Sequence, residues 1–354
     1  MTITQQLDET AVLAFAQRLS EHQAYAMNAT LAYLGDRLGL WRALADGQPT
    51  TAAALGVRTG TDQRYLQEWL AAQAAAGYLH YDPSQATFQL PAEHAAVLAI
   101  DDSPAAMAGA FETIVATAST ADRLAHAFVT GEGIGWHDQD SRVFSGVERF
   151  FRPLYATSLL TEWLPSVDGL TEALEAGLDV LDVGCGLGTP TLQLAEAFPR
   201  SRFVGVDYHQ ESIRRARAAA ERRGLSDRVR FAPADAEEYG GRYGLVIMFD
   251  ALHDLGDPVG ALQHAAAHLA PGGRIVAIEP FAGDRLEDNL HPLGLSWYAA
   301  STALCLPNSL SQDGRAGLGA QAGTARLLSV FAAAGLRARA TATTMFNVVL
   351  EGRP

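Results

Sequence analysis

V-L-D-V-G-C-G-L-G-T, residues 180–189, is an apolar run that breaks into Gly184, Gly186 and Gly188 just where a helix can begin. Glycine has no Cβ, so three of them at alternate positions allow dihedrals and close approaches denied to other residues. The following T-P-T-L-Q-L-A-E-A-F has helical apolar spacing, with Thr189 as an N-cap and Pro190 in the first turn, where proline is tolerated. Strand, glycine turn and helix together predict a site where a nucleotide-type ligand touches the backbone.

The flanks choose among such ligands. A dinucleotide fingerprint carries a third small residue three positions after its second glycine. Here Thr189 stands there, the third glycine comes early at Gly188, and Asp182 precedes the first glycine by two residues. A carboxylate at that point repels a pyrophosphate and suits an ammonium or a sulfonium. R-F-V-G-V-D-Y, residues 202–208, reads as a second buried strand ending in Asp207, which can accept from both hydroxyls of a ribose. V-R-F-A-P-A-D-A-E-E, residues 229–238, reads as a third strand whose tip carries Asp235, placed to accept from an adenine amine. Either acid could instead cap the helix that follows it.

The ordered set D-V-G-C-G-L-G, V-G-V-D, P-A-D-A, G-L-V-I-M-F-D-A-L-H-D and L-A-P-G-G-R-I-V-A-I-E-P resembles the class I S-adenosylmethionine-dependent methyltransferases. That resemblance implies a Rossmann-like α/β fold with a seven-stranded sheet. It implies that Asp182, Gly184, Cys185, Gly186 and Gly188 line the methionine end of S-adenosylmethionine and that Asp207 holds the ribose. Asp235 and Ala236 would hold the adenine, and Tyr208, Phe249 and Asp250 complete the cofactor set. The product would be S-adenosylhomocysteine.

A hydroxyl acceptor must also lose its proton, and His253 in F-D-A-L-H-D is the expected general base, on the rim where open α/β sheets bind ligands. In plant-type O-methyltransferases the same L-H-D context carries the catalytic histidine; there a tryptophan usually follows, where this chain has Leu255. Asp254 could orient the ring or start the next helix, and Glu279 could assist the base or bind a polar acceptor. Tyr155 and Phe151, in F-F-R-P-L-Y, are candidates for a pocket roof, though a stripe of that spacing also suits plain core. His291, Trp297 and Tyr298 follow the fifth strand and could clamp a flat acceptor or merely pack a lid. His264 and His268 share a helix face as zinc proteases do, but Ala265 stands where such a site needs its glutamate.

The expected domains are a winged-helix dimerisation module over 1–100, a helical linker and pocket roof over 101–165, and the S-adenosylmethionine-binding domain over 166–354. Residues 27–45 have helical spacing, 49–77 read as helix, turn and second helix, and 77–90 as a wing hairpin. A winged helix is a shape associated with DNA, but the net charge is −14, all 26 basic residues are arginine, and residues 1–100 hold five arginines against nine acids. A polyanion meets a field of the wrong sign, so no nucleic-acid partner is expected. The architecture is similar to that of plant-type small-molecule O-methyltransferases and their bacterial relatives. A small-molecule substrate and a homodimer formed through the N-terminal domain follow from that resemblance.

The chain opens M-T-I-T-Q-Q-L-D-E-T without a basic, apolar leader, and no apolar run is long enough to span a bilayer, so a cytoplasmic protein with no membrane partner is expected. Two cysteines, Cys185 and Cys305, predict neither a disulfide framework nor structural zinc, and no metal is expected. Two other readings stay open: a winged-helix regulator that binds the cofactor as a signal, and a methyltransferase-fold enzyme acting on nitrogen, sulfur or carbon or catalysing a non-methylating reaction.

Overall fold

The computed structural model describes residues 7–354, so the opening M-T-I-T-Q-Q, on which the expectation about a leader rests, lies outside the described residues. The chain forms two compact units. One runs to Val115 and takes in Ser145–Pro153; the other comprises Ala116–Phe144 and Leu154–Pro354. The segment 101–165 is therefore shared between the units rather than forming a third.

In the N-terminal unit a long helix, Glu9–Arg37, is capped by the Asp8 side chain and stops at Gly39 (φ 71°), whose left-handed backbone starts the short helix Leu40–Leu44. The continuous helix read over 27–45 is thus broken by one glycine. Helices Ala52–Thr59 and Gln63–Ala75 follow, then the wing strands β1 (His80–Asp82) and β2 (Thr87–Gln89), paired antiparallel. Trp41 and Trp69, 4.7 Å apart, close the core, each indole donating to a carbonyl of the long helix. The second helix of the pair exposes Asp62, Arg64 and Glu68, with Arg64 spent on an ion pair to Glu68 at 2.6 Å.

The second unit holds a seven-stranded sheet built from β3 (Asp179–Val183), β4 (Arg202–Asp207), β5 (Val229–Pro233), β6 (Tyr243–Phe249), β7 (Leu269–Pro280), β8 (Arg337–Thr343) and β9 (Asn347–Arg353). Their order is β5-β4-β3-β6-β7-β9-β8, and β9 alone is reversed, because it follows β8 too closely to pair in any other direction. Leu245 to Met248 are fully buried, as a central parallel strand covered on both faces requires. The switch between β3–β4 and β3–β6 opens the crevice at the strand tips where ligands of such sheets bind. Among the described residues no helix is long and apolar enough to cross a membrane.

Candidate functional site

Gly184, Gly186 and Gly188 all have positive φ, at 75°, 51° and 77°. Their surroundings differ. A Cβ on Gly184 would meet Ala251 Cβ at 2.8 Å and one on Gly188 the Phe231 ring at 2.5 Å, whereas one on Gly186 would meet nothing within 4 Å. Two of the glycines are therefore demanded by packing, and the third faces open space. The N–H of Gly184 and that of Cys185 donate to Val206 O, tying the loop to β4.

Asp182 is fully buried, and one carboxylate oxygen accepts from Thr191 Oγ1 while the other, Oδ1, has no hydrogen-bond partner. Burial raises its pKa to about 7, with Thr191 opposing and Asp207 adding to the rise. Asp207 accepts from Gly186 N at 2.9 Å and His209 N at 2.8 Å, and burial raises its pKa as well. Tyr208 lies partly exposed beside it, edge-on to His137 at 5.8 Å, and Asp235 is exposed just past β5 with Ala236 half-buried. Of the three acids at neighbouring strand ends, Asp207 binds the open glycine; its charge acts on Asp182, and that of Asp235 acts on it.

The acceptor side is built by the register of β6 on β7, which sets Phe249 opposite Ile278 and so brings Glu279 alongside the turn after β6. The fully buried Glu279 accepts from the backbone N–H of Ala251, Leu252 and His253 and from His253 Nδ1 at 2.5 Å. It fixes both the turn and the ring. Asp254 does not orient the ring from that side; its Oδ1 lies 3.3 Å from Nε2, and the next helix is capped by Asp257 instead. Burial pulls the His253 pKa down, but Asp254 and Glu279 outweigh it, so the imidazole holds its proton well above the usual range. Asp250 takes a left-handed backbone (φ 49°), contacts Asn347 and Tyr155, and is raised by burial to about 8. Tyr155 also packs edge-on to Phe249 at 5.8 Å.

Two further residues reach this cluster from far along the chain. Cys305, on a π-helical turn over Ser301–Cys305, has its sulfur within 4.8 Å of the ligating atoms of His253 and Asp254. Trp136, in the loop G-E-G-I-G-W, donates from Nε1 to Asp254 Oδ2 at 3.0 Å. That loop is docked as a strap: Ile134 N donates to Pro307 O and Trp136 N to Asn308 Oδ1, while Asn308 Nδ2 and Gln312 Nε2 hold Asp254 O. An indole in a glycine-rich loop is the mark this role leaves in the sequence.

The remaining candidates take other places. Phe151 is buried in the segment that belongs to the N-terminal unit, edge-on to Phe150. His291 caps the helix Pro292–Ala300, its Nδ1 accepting from Gly294 N at 3.1 Å; Trp297 is buried on that helix and Tyr298 half-buried. His264 hydrogen-bonds Tyr239 O, and its ring lies 4.2 Å from that of His268, tilted by 37°, so the pair packs on its own unit.

Residues 174–315 match the family described as "Methyltransferase domain", and residues 26–100 that described as "Rv2258c-like winged HTH domain". The 27-O-demethylrifamycin SV methyltransferase of Amycolatopsis mediterranei is 32% identical over 123 residues, which cover 34% of this chain and 43% of that protein. The chain spans under half the length of the first curated relatives it matches. Among solved structures, the mitomycin 7-O-methyltransferase MmcR superposes with a TM-score of 0.72 at 20% identity, over 98% of this chain and 100% of that one. NcsB1, an O-methyltransferase from neocarzinostatin biosynthesis solved with S-adenosylmethionine and 2-hydroxy-5-methyl naphthoic acid, does so at 0.65 and 20%, over 93% and 96%. The chain thus carries a methyltransferase domain behind a winged helix-turn-helix domain, on the Rossmann-like fold of class I methyltransferases.

Proposed function

We propose that this protein transfers the methyl group of S-adenosylmethionine to a small-molecule acceptor, at a hydroxyl oxygen, with His253 as the base. The observation that carries the first half is the open space over Gly186, whose N–H is held by Asp207, together with the buried Asp182 Oδ1 that lacks a partner. An ammonium would satisfy that oxygen, and a ribose hydroxyl would suit Asp207. When bound there, the cofactor supplies a methyl group on a sulfonium, already activated for in-line displacement. The chain's own residues then have two tasks, alignment of the acceptor and removal of its proton.

Glu279 performs part of the second task by holding Nδ1, which leaves Nε2 as the working nitrogen. Both ring nitrogens lie against carboxylates, which favours the protonated ring, so His253 works as a base once the Nε2 proton has gone, with Asp254 the adjacent group able to take it. Likeness in fold to enzymes named as O-methyltransferases supports a hydroxyl acceptor. A homodimer is proposed through the N-terminal unit, on the exposed Val12, Leu13, Phe15 and Leu19 of its long helix.

Calorimetry with S-adenosylmethionine tests the cofactor: the wild type binds and Asp207→Ala loses at least about tenfold in affinity, the value of one charged hydrogen bond. Equal binding by both, or by neither, removes the reading. In a screen of hydroxylated aromatics, His253→Ala should retain cofactor affinity and lose about 100-fold or more in turnover. Undiminished turnover would move the acceptor atom to one that needs no base.

A further inference from the structure

Cys305 is half a hundred residues from His253, yet the fold places its sulfur beside the two groups proposed to handle the proton. We propose that His253 Nε2, Asp254 Oδ1 and Cys305 Sγ form a binding site for one zinc ion, and that zinc bound there inhibits the enzyme by occupying the base. The inhibitory half rests on the methyl-transfer reading; the zinc site does not.

The donor set is a nitrogen, an oxygen and a sulfur, the mixture that suits zinc better than magnesium or calcium, which take oxygen alone. Nε2 and Oδ1 stand 3.3 Å apart, which is already the spacing of two ligands on a tetrahedral zinc. All three ligating atoms lie within 4.8 Å of one another, so the sulfur closes by about 1 Å at most to complete the set. Asp254 is buried, and its Oδ1 faces the cluster 3.3 Å from His253 Nε2, with the Cys305 sulfur beside it.

The surroundings are those of a metal site rather than a chance cluster. Glu279 accepts from His253 Nδ1, the carboxylate–imidazole arrangement that fixes a ligating ring and presents its other nitrogen to a metal. Trp136 Nε1 holds Asp254 Oδ2, which leaves Oδ1 as the free ligand atom, and Asn308 and Gln312 pin the Asp254 backbone. Among the described residues this is the group of three potential ligands the fold brings together. Three protein ligands leave a fourth position for water. Coordination needs the thiolate and the bare Nε2, so loading releases protons to solvent.

The test uses untagged full-length protein stripped with a chelator and dialysed against zinc chloride. One equivalent should be retained, with cobalt(II) substitution giving the near-ultraviolet sulfur-to-metal charge-transfer band. Cys305→Ala should lose the band and about 100-fold or more in zinc affinity, while Cys185→Ala keeps both. Circular dichroism and the thermal midpoint of Cys305→Ala check that the variant is folded, and Asp254→Asn supplies a second lesion should it not be. Zinc should suppress methyl transfer by the wild type, and chelator should restore it. No retained zinc, retention unchanged in Cys305→Ala, or a cobalt complex without the sulfur band would overturn the site. Activation by zinc would overturn the inhibitory assignment. A protein that binds zinc in this way but never methylates would sink the methyl-transfer reading alone.

Discussion

Asp182 bears on stability through its burial and on the proposed cofactor through its charge. Its fully buried carboxylate, raised to about 7, binds a proton in the folded protein that it releases near 3.8 when unfolded. Native protein therefore holds more protons than unfolded protein between those values, and stability falls as pH rises through that window. The same charge is what an ammonium would neutralise. Affinity for S-adenosylmethionine should accordingly fall as pH drops below about 7, by up to about tenfold per pH unit. Calorimetry across about pH 8 to 5 checks this. Asp182→Asn should bind weakly throughout and keep only the dependence that Asp207, also raised by burial, contributes. A wild-type affinity flat across that range would show that Asp182 does not face the cationic end.

At the scale of elements, the strap over Gly131 to Trp136 decides how Asp254 is held. Gly133 crosses the backbone of Leu310 and Ser311 so closely that a Cβ would overlap main-chain atoms, which cannot step aside as a side-chain end can. Gly133→Ala should therefore destabilise the second unit by about 1–3 kcal/mol, the range for forced overpacking. The thermal midpoint should fall several degrees, at about 2–4 °C per kcal/mol for a unit of this size. Turnover should fall with it, since Trp136 rides on the strap. An unchanged midpoint in scanning calorimetry would mean that the crossing is not made in solution.

For the whole molecule, acidity and exposed apolar surface point to self-association rather than nucleic acid. The long N-terminal helix leaves Leu13 and Leu19 exposed on a chain of net charge −14. Light scattering should find a dimer for the wild type and a monomer for the double variant Leu13→Asp with Leu19→Asp. A monomeric wild type would remove the dimer proposal and leave that face unexplained.

The sequence alone determined what short spacing can encode. The glycine turn, the helices and hairpin of the winged helix and the strands that carry Asp182, Asp207 and Asp235 were legible, because strand alternation, helical periodicity and turn chemistry act within a few residues, while the seven-stranded sheet was implied by the family resemblance. His253 and Glu279 were readable as separate strand-end groups, 26 positions apart. That Glu279 takes Nδ1 while Asp254 takes the Nε2 side followed only from the parallel register of β6 on β7. Trp136 and Asp254 meet across 118 residues, and Cys305 arrives on a π turn that no periodicity announces. Contacts of that separation depend on where the chain returns after each excursion, which packing settles and local spacing does not record.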